Sequence, residues 1–510
     1  MATVSAVSPH TGALLGEVPA ASERDVAAAV ERAAAVQRLW AQLRLRDRAR
    51  YMERAAQAVI DELDDLVELV VAEQGRPRAE VHVMEVLPAV RTLQWLAAEG
   101  PGVLRGERIR FSRSQHPVKR GGWSYEPLGV VAVLGAAAEP FASPLGDVAV
   151  ALLAGNGVVL KPSPHVALCG ARIAGVFARA GLPEGLLGVV QGHAATGAAL
   201  VDAPVAQVRF TGGAEAGRAV GEACARGLKR SVLDLGGKDA MLVLPDASLP
   251  RVVRGATWAA FANAGQSGGS VERLLCAAPV YEAVLAGVAA AAGALRAGDP
   301  AHPATELGPL VTRERTARVR ELVDDAVTRG AVRHTDGPAV VLSDVPADAQ
   351  IAREECPGPV LVVERVRDED EAVLRANAVP FALGASVWTA DRRRGARVAR
   401  ELRAGMVWMN DHLVARSAPQ VPWGGIGTSG IGRARGAIAL RTCAEPKVVT
   451  WDPPVSRPAW WFPYDDGLAA AAGAAIRLRS RRDADRRRGL RDAPALLGLT
   501  ARWARGLRDR

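Results

Sequence analysis

Short apolar runs alternate with alanine-rich segments between residues 129 and 235. The runs, rich in valine and leucine, cover residues 129–134, 157–160, 187–190, 207–210 and 231–235. Runs of this length suit buried strands, and the segments between them can supply the helical crossovers that parallel strands require. The pattern predicts an α/β fold of the dinucleotide-binding type, in which ligands bind beyond the carboxyl ends of the strands.

The N-terminal region has a helical pattern instead. Apolar residues recur at helical spacing directly after Ser22 and Asp25, which together form a capping-box signature. A second helical stretch runs roughly from residue 45 to residue 71. We expect both to be structural helices that pack on a core.

Length and hydropathy favour a large, water-soluble protein. The 510 residues are 49% hydrophobic, which predicts two or more domains. The best candidate for a membrane span, residues 467–476, is short and alanine-rich, and residues 1–5 do not begin a signal peptide. The expectation is a cytoplasmic protein.

Positive charge is concentrated at the C-terminal end. Residues 476–510 contain twelve arginines and four aspartates, a net of +8 out of the chain's +9. The body is therefore close to neutral, and no nucleic-acid partner is expected.

One helical face of the tail would carry Leu496, Leu499, Trp503 and Leu507. A basic amphipathic helix of this kind binds anionic membrane surfaces, which predicts a peripheral location at the inner face of a membrane. The alternative is a solvated extension.

Cysteine and histidine provide no sign of a disulfide framework or a metal site. The five cysteines have no paired spacing, and the eight histidines show no ligand spacing. We expect reduced, buried thiols and no metal.

Polar residues and glycines follow several of the predicted strands. Lys161 and Ser163 come after the second run, and Asp234 lies in the fifth. Gly212, Gly213 and Gly217 surround the start of a helix predicted at residue 214, whose N-terminal amides could face an anion. Each signal is weak alone, since a lysine or a glycine pair at a strand end is usually structural.

Residues 261–273 make these signals specific. Phe261, Asn263, Gln266 and Arg273 in this segment resemble the active-site loop of the NAD(P)-dependent aldehyde dehydrogenase superfamily. In that family a cysteine nucleophile stands two residues after the glutamine. In this sequence the position is Gly268. The resemblance extends over roughly residues 10–450.

The resemblance implies that the chain binds NAD or NADP. Lys161 and Ser163 match the family segment that binds the adenosine ribose, and Glu355 matches the ligand of the nicotinamide ribose. Gly212, Gly213 and Gly217 match the family's phosphate-binding turn. Pro164 stands where NAD-preferring members often carry a glutamate, so the choice between the two nucleotides stays open.

The same resemblance implies that thioester chemistry is impaired. Asp234 occupies the position of the general base, one methylene shorter than the family's glutamate. Ala138 occupies the position of the oxyanion-stabilising asparagine and has no side-chain donor. Cys276 lies in an apolar run and Cys356 lies between Glu355 and Pro357, and neither has the exposed, electropositive setting that a replacement nucleophile needs. The leading hypothesis is a cofactor-binding pseudoenzyme or non-catalytic subunit, and the alternative is an active oxidoreductase that oxidises aldehydes without a cysteine.

The family architecture also predicts domain limits and assembly. A Rossmann-like, NAD(P)-binding domain would comprise residues 1–108 and 126–237, and an α/β catalytic-type domain with its own sheet would comprise residues 238–440. An oligomerisation hairpin and strand would comprise residues 109–125 and 441–452, leaving 453–510 as an arginine-rich extension. The expected partners are the nucleotide, an aldehyde ligand and further copies of the chain in a dimer or tetramer.

Overall fold

A computed structural model describes residues 2–112, 116, 118–413, 417–454, 460–462, 464 and 466–498. The described residues belong to two compact units. The first comprises Met1–Arg105 and Tyr125–Glu445, and the second Gly106–Ser124 and Pro446–Arg510. Most of the amphipathic helix predicted around Trp503 lies outside the described residues.

The strands are numbered along the chain. They are β1 (Thr3–Val7), β2 (Leu14–Pro19), β3 (Glu107–Arg108), β4 (Arg120–Pro127), β5 (Val130–Leu134), β6 (Gly157–Lys161), β7 (Leu187–Val189), β8 (Gln207–Gly212), β9 (Arg230–Leu235), β10 (Asp239–Val243), β11 (Val271–Ala277), β12 (Val332–Arg333), β13 (Val340–Ser343), β14 (Val360–Val366), β15 (Gly384–Trp388), β16 (Met406–Met409), β17 (Gly430–Ile431) and β18 (Ala444–Trp451).

The helices follow the same numbering. They are α1 (Glu23–Trp40), α2 (Leu45–Asp61), α3 (Leu63–Gln74), α4 (Arg78–Val81), α5 (Leu87–Val103), α6 (Ala142–Leu153), α7 (Ala167–Arg179), α8 (Ala194–Asp202), α9 (Ala214–Arg226), α10 (Leu249–Phe261), α11 (Tyr281–Gly293), α12 (Arg313–Thr328), α13 (Gln350–Arg353), α14 (Glu369–Asn377), α15 (Arg392–Glu401), α16 (Gly436–Thr442), α17 (Asp466–Leu478) and α18 (Asp483–Arg491). A π-helical turn, His82–Val86, connects α4 to α5, and 3₁₀ turns cover Pro164–Val166, Ala262–Gly265 and Gly427–Ser429.

The five predicted strands form one sheet in the first unit. Its described order is β17-β9-β8-β5-β6-β7, and all neighbours are parallel except β17, which runs antiparallel to β9. Every residue of β5 and β6 is buried. Burying each valine or leucine side chain stabilises the folded state by roughly 1.5–3 kcal/mol, so burial of these runs in the core is strongly favoured. The α/β prediction is confirmed.

A second sheet in the same unit carries the segment after residue 238. Its order is β12-β13-β14-β11-β10-β15-β16, parallel except for the β12–β13 pair. β10 and β11 are buried throughout. The loop that joins α10 to β11 contains Gly268.

The N-terminal region adds a hairpin and several helices. Ser22 caps α1, accepting a hydrogen bond from the N–H of Asp25, whose side chain bonds back to Ser22, so the predicted capping box is confirmed. The stretch predicted as one helix over residues 45–71 is two helices separated at Glu62. The antiparallel hairpin of β1 and β2 was not predicted.

The second unit contains a sheet of order β18-β4-β3 and the helices α17 and α18. Lys119 and Asp452 form an ion pair within it. Among the described residues, no helix is both long enough and apolar enough to cross a bilayer.

Candidate active site

A cavity of about 290 Å³ opens between the carboxyl end of β9 and the loop that follows α10. It brings together six of the positions singled out in the sequence, namely Ala138, Gly212, Gly213, Asp234, Gly268 and Glu355. Lys161, Ser163 and Gly217 are not in its wall. Residues that sequence analysis did not single out also line it, chiefly Glu139, Ser267, Arg315, Arg318 and Trp423.

The loop from residue 262 to residue 270 is held by hydrogen bonds to distant elements. Asn263 and Ala264 have left-handed backbone angles, with φ of 55° and 51°. Such conformations cost non-glycine residues free energy and persist only when neighbouring groups fix them. The Asn263 N–H donates to Glu80, and its side-chain oxygen accepts from Gln74 at 2.8 Å and from Arg76 at 3.0 Å.

The glutamine of the loop fixes its next turn. Gln266 accepts a hydrogen bond from the N–H of Val311 at 2.9 Å, and its amide donates to the carbonyl of Asn263 at 3.1 Å. Gly268 follows in the cavity wall. A Cβ placed on Gly268 would lie 3.5 Å from the nearest atom, the Cα of Gly236, which is ordinary van der Waals contact. The packing therefore does not require glycine at this position.

Asp234 is buried at the end of β9 with its carboxylate facing the cavity. Its two oxygens accept from the indole N–H of Trp423 at 3.1 and 3.0 Å. The pKa of Asp234 is raised to about 7, first by burial and then by the nearby carboxylates of Glu139 and Asp147, against the lowering effects of Trp423 and Arg435. A group with such a pKa can both accept and release a proton near neutral pH.

The Ala138 position contributes its backbone and no side-chain donor. The carbonyl of Ala138 accepts from Arg76 at 2.6 Å and from the amide of Asn263 at 3.0 Å. Its methyl group cannot stabilise an oxyanion. The next residue, Glu139, is only 8% exposed, and its carboxylate accepts a hydrogen bond from the Ser267 hydroxyl at 3.3 Å.

The remaining glycine and serine positions lie at the N-terminal end of α9 and directly after β6. Gly213 caps α9 without a side-chain hydrogen bond, which leaves the first-turn amides of that helix open to an anion. A Cβ on Gly217 would lie 2.3 Å from the Leu235 side chain, so glycine lets α9 pack closely on β9. Ser163 caps the 3₁₀ turn after β6, accepting from the N–H of His165 at 3.4 Å.

Two charged side chains in this region have shifted pKa values. Burial lowers the pKa of Lys161 to about 8, and the ammonium donates to the carbonyl of Pro162 at 3.1 Å. Burial, with the charge of Glu272, raises the pKa of Glu355 to about 8. Within the described part of the chain, the Glu355 carboxylate takes part in no hydrogen bond. Both groups could therefore bind ribose hydroxyls.

The cysteines are all buried. Cys356 is the one thiol among the described residues that line the cavity. Burial raises its pKa to about 12, and burial raises that of Cys276 well above the ordinary value. Neither is a thiolate at neutral pH. No cluster of described histidine, cysteine, aspartate or glutamate side chains could hold a metal ion.

Residues missed by sequence analysis reach the site from distant segments. Trp423 lies 189 residues from Asp234, and Glu139 lies 128 residues from Ser267. The segment Pro422-Trp-Gly-Gly425 also resembles a family segment that occurs in the same order along the chain, which is the one signal in the sequence that points towards Trp423. Nothing in the local sequence indicated that Glu139 faces the loop.

Comparison with known proteins relates the chain to one family. A family model described as the aldehyde dehydrogenase family matches residues 2–449. The chain is 34% identical over 474 residues to a 4,4′-diapolycopene aldehyde oxidase from Methylomonas sp, covering 91% of this chain and 89% of that protein. It is 33% identical over 468 residues to a succinate-semialdehyde dehydrogenase [NADP(+)] from Deinococcus radiodurans, covering 89% and 96%.

Solved structures give the same result. An NAD-dependent aldehyde dehydrogenase from Sinorhizobium meliloti has a TM-score of 0.86 at 30% identity, covering 91% of this chain and 93% of that one. A Mycobacterium tuberculosis aldehyde dehydrogenase complexed with NAD+ has a TM-score of 0.83 at 31% identity, covering 88% and 94%.

Proposed function

The chain belongs to the aldehyde dehydrogenase family, and we propose that it binds NAD or NADP but does not oxidise aldehydes through a thioester. The observation that carries this proposal is Gly268, which lines the cavity at the position of the family's cysteine. A glycine cannot attack a carbonyl, and the surrounding packing leaves room for the side chain that is absent.

The nucleotide half of the proposal rests on groups whose chemistry suits it. The amides that follow Gly213 would hold the pyrophosphate, Lys161 the adenosine ribose and Glu355 the nicotinamide ribose. When bound, the nicotinamide supplies a hydride acceptor. Relatives carry names that specify NAD+ or NADP(+), so both nucleotides are candidates here.

The catalytic half rests on the loss of more than one group. Gly268 lacks the nucleophile, Ala138 lacks the oxyanion donor, and the Cys356 thiol is protonated at neutral pH. Removing one oxyanion donor costs about a hundred- to a thousand-fold in other enzymes, and removing the nucleophile costs more. Thioester chemistry is therefore not expected from this chain.

One observation favours a second candidate function. Asp234 faces the cavity with a pKa of about 7. A carboxylate of this kind could take a proton from the hydrate of an aldehyde, which would permit an NAD(P)-dependent oxidation that needs no cysteine. The two relatives described above are named for a diapolycopene aldehyde and for succinate semialdehyde, so the ligand class is an aldehyde with its substituent unspecified.

A two-part experiment separates the candidates. Calorimetry with NAD and with NADP measures binding, and formation of reduced nucleotide over a panel of aldehydes measures turnover. The proposal expects binding of at least one nucleotide and no turnover. Turnover that is abolished in Asp234→Asn would instead establish the cysteine-independent oxidoreductase, and turnover unchanged in that variant would refute both routes.

The assembly and location remain proposals. We propose a homo-oligomer formed through residues 109–125 and 441–452, with domains divided as the family architecture implies. Membrane association through residues 453–510 is tested by sedimentation with anionic liposomes. The full chain should sediment at low salt and a truncation after Asp452 should not, because exposed charge attraction is screened by salt.

A further inference from the structure

Four aromatic side chains lie exposed in the second unit, beyond the end of strand β18. Trp460, Trp461, Phe462 and Tyr464 are 45%, 61%, 82% and 64% exposed, and we call them the aromatic segment. The rings of Phe462 and Tyr464 have centroids 4.5 Å apart. Neighbouring apolar side chains that stay exposed mark a surface that binds something. The family model ends at residue 449, so the family does not account for this segment.

The aromatic segment is fixed at one end to the hairpin of the same unit. The Trp460 ring packs edge-on against the His116 ring, with centroids 5.3 Å apart, and His116 packs against Phe111 at 5.6 Å. All three residues belong to the second unit. The contact holds the start of the segment on the protein and leaves Trp461 and Phe462 largely exposed.

The helices α17 and α18 pack on each other through small residues. Ala471 and Ala474 are fully buried, and a Cβ added to Gly489 would lie 2.8 Å from the backbone nitrogen of Leu478, so the two backbones approach closely. Ile476 and Leu490 lie outside this contact and are mostly exposed. The helix pair therefore presents aliphatic side chains to its surroundings.

The same helices carry an excess of positive charge. Residues 466–498 contain eight arginines and four aspartates. Two of the aspartates are neutralised by ion pairs, Arg477 with Asp492 and Arg486 with Asp483. Within the described part of the chain, five further arginines take part in no ion pair, namely Arg481, Arg482, Arg487, Arg488 and Arg491. An anionic surface would complement this charge.

We propose that the aromatic segment and the α17–α18 pair dock on an anionic lipid bilayer, with Trp461 and Phe462 inserted at the level of the headgroups and the unpaired arginines on lipid phosphates. Tryptophan and tyrosine favour this depth because their rings are apolar with a polar edge. The inference rests on the proposed membrane association of residues 453–510 and deepens it. The helix predicted around Trp503 is not required for it.

A bilayer fits this surface better than a single-stranded nucleic acid does. Arginines can bind phosphates of either kind, and bases can stack on aromatic rings. A nucleic acid offers no apolar volume for Ile476 and Leu490, whereas the acyl region below the headgroups does. The aliphatic side chains beside the arginines therefore favour lipid.

Sedimentation of the full chain with phosphatidylcholine vesicles, with and without phosphatidylglycerol, is the test. Trp461→Ser/Phe462→Ser should weaken binding to the anionic vesicles at least about tenfold at both low and high salt, because salt does not screen apolar insertion. Trp258→Ser is the matched control, since it removes a tryptophan that is 44% exposed on α10 in the first unit. It should bind like the wild type.

The arginines should respond to salt in a different way. Arg487→Gln/Arg488→Gln should weaken binding about tenfold at low salt and little at high salt, because the attraction of exposed charges is screened. Arg24→Gln/Arg38→Gln removes two exposed charges from α1 in the first unit and should leave binding unchanged.

A swap of the two rings guards against a change of fold. Trp461→Phe/Phe462→Trp keeps the aromatic area and should bind like the wild type, with an unchanged melting temperature. Wild-type binding by Trp461→Ser/Phe462→Ser would overturn the insertion and leave only a charge-driven association of the tail. Equal binding to neutral and anionic vesicles would overturn the role of the arginines.

Two further outcomes separate this inference from others. If single-stranded DNA is bound in place of vesicles, and the serine and glutamine variants lose that binding, the partner is a nucleic acid and the inference is wrong. If a truncation after Asp452 sediments as the full chain does, the proposed membrane association itself fails. Neither outcome bears on nucleotide binding at the cavity, which calorimetry measures independently.

Discussion

In the wall of the cavity, Gly268 leaves room for a side chain that it does not have. Close packing requires glycine where an added Cβ would clash with the backbone. At Gly265, for example, the added Cβ would lie 2.4 Å from the carbonyl oxygen of Gly358. At Gly268 the nearest atom is 3.5 Å away. The fold could therefore accommodate a side chain at position 268, and what the site lacks there is the nucleophilic group.

Gly268→Cys should consequently fold and present a reactive thiol. We expect a melting temperature within a few degrees of the wild type, because no atom has to move to admit the Cβ. Iodoacetamide should modify Cys at position 268 well before the five native cysteines, which are buried. Aldehyde oxidation should stay feeble, since Ala138 still lacks a donor.

The matched control for that variant is Gly268→Ala, which adds the Cβ without the thiol. Equal alkylation of both variants would mean that a native cysteine is reacting. Robust turnover by Gly268→Cys alone would show that the alanine at position 138 matters little.

Titration of Asp234 should appear in stability as well as in chemistry. Its pKa rises from 3.8 to about 7 on folding, so between these values the folded state holds a proton that the unfolded state has released. The free energy of unfolding therefore falls as pH rises through this window, by up to about 4 kcal/mol for a pKa raised from 3.8 to about 7. The charges that act on Asp234 belong to Glu139, Asp147 and Arg435, and they can move the pH range over which Asp234 titrates.

Asp234→Asn should remove this component of the pH dependence. The amide cannot ionise, and its oxygen can still accept from Trp423. We expect the variant to melt higher than the wild type at pH 8 and to differ little at pH 5, measured by thermal denaturation across the range. An equal difference at both pH values would mean that Asp234 does not titrate between them.

Sequence reasoning found single positions at the site and missed the pairs. Asp234, Ala138 and Gly268 could be placed because each lies in a segment whose pattern is local. The roles of Trp423 and Glu139 could not be predicted, because their hydrogen bonds to Asp234 and Ser267 join residues more than a hundred positions apart.

At the scale of elements, one buried ion pair ties four segments to the site. Arg76, just after α3, pairs with Glu85 in the π-helical turn at 2.5 Å and donates to the carbonyl of Ala138. Glu85 in turn accepts from the N–H groups of Phe141 and Ala142 at the start of α6. Both ionic side chains are inaccessible to solvent, so each satisfies the other's charge.

Breaking this pair from one side should be costly. Arg76→Met leaves the Glu85 charge buried without its partner, and removing one member of such a pair typically costs about 3–5 kcal/mol. Arg76→Met/Glu85→Leu should lose less than the sum of the single variants, because no charge is stranded. A double-mutant cycle on chemical denaturation measures the coupling, and strict additivity would show that the two side chains act independently.

Element boundaries were predictable where the cause is local. Ser22 and Asp25 specify the start of α1 through their own side chains. The break between α2 and α3 is different, because Glu62 is held there by Arg172 and Arg179 on α7. A contact across more than a hundred residues leaves no mark on the local pattern.

At the scale of the molecule, the sheet of β5 to β9 could be predicted and the second sheet was expected only from the family resemblance. Strands β5 and β6 are continuous apolar runs bounded by helices, which is the signature of buried parallel strands. β12 and β13 are short and are followed by irregular segments, so their pattern does not distinguish strand from loop. In the β1–β2 hairpin, β1 buries Val4 and Ala6 on one face and β2 buries no residue, so the apolar alternation is too short to identify two strands.

Nucleotide binding should be visible in the unfolding of the chain. A ligand that binds only the folded state stabilises it by about 2.7 kcal/mol at a hundred times its Kd, which raises the melting temperature of a large protein by a few degrees. Lys161→Met should weaken this effect for both NAD and NADP, because a charged hydrogen bond of about 1.5–3 kcal/mol to a ribose is lost, roughly ten- to a hundred-fold in Kd. Lys447→Met is the control, since it removes an equal charge from the exposed strand β18. Thermal shift and calorimetry together check the prediction. If nucleotide binding weakens equally in both variants, the loss at Lys161 is a general effect of charge. If neither nucleotide raises the melting temperature of the wild type, the proposed function no longer includes nucleotide binding.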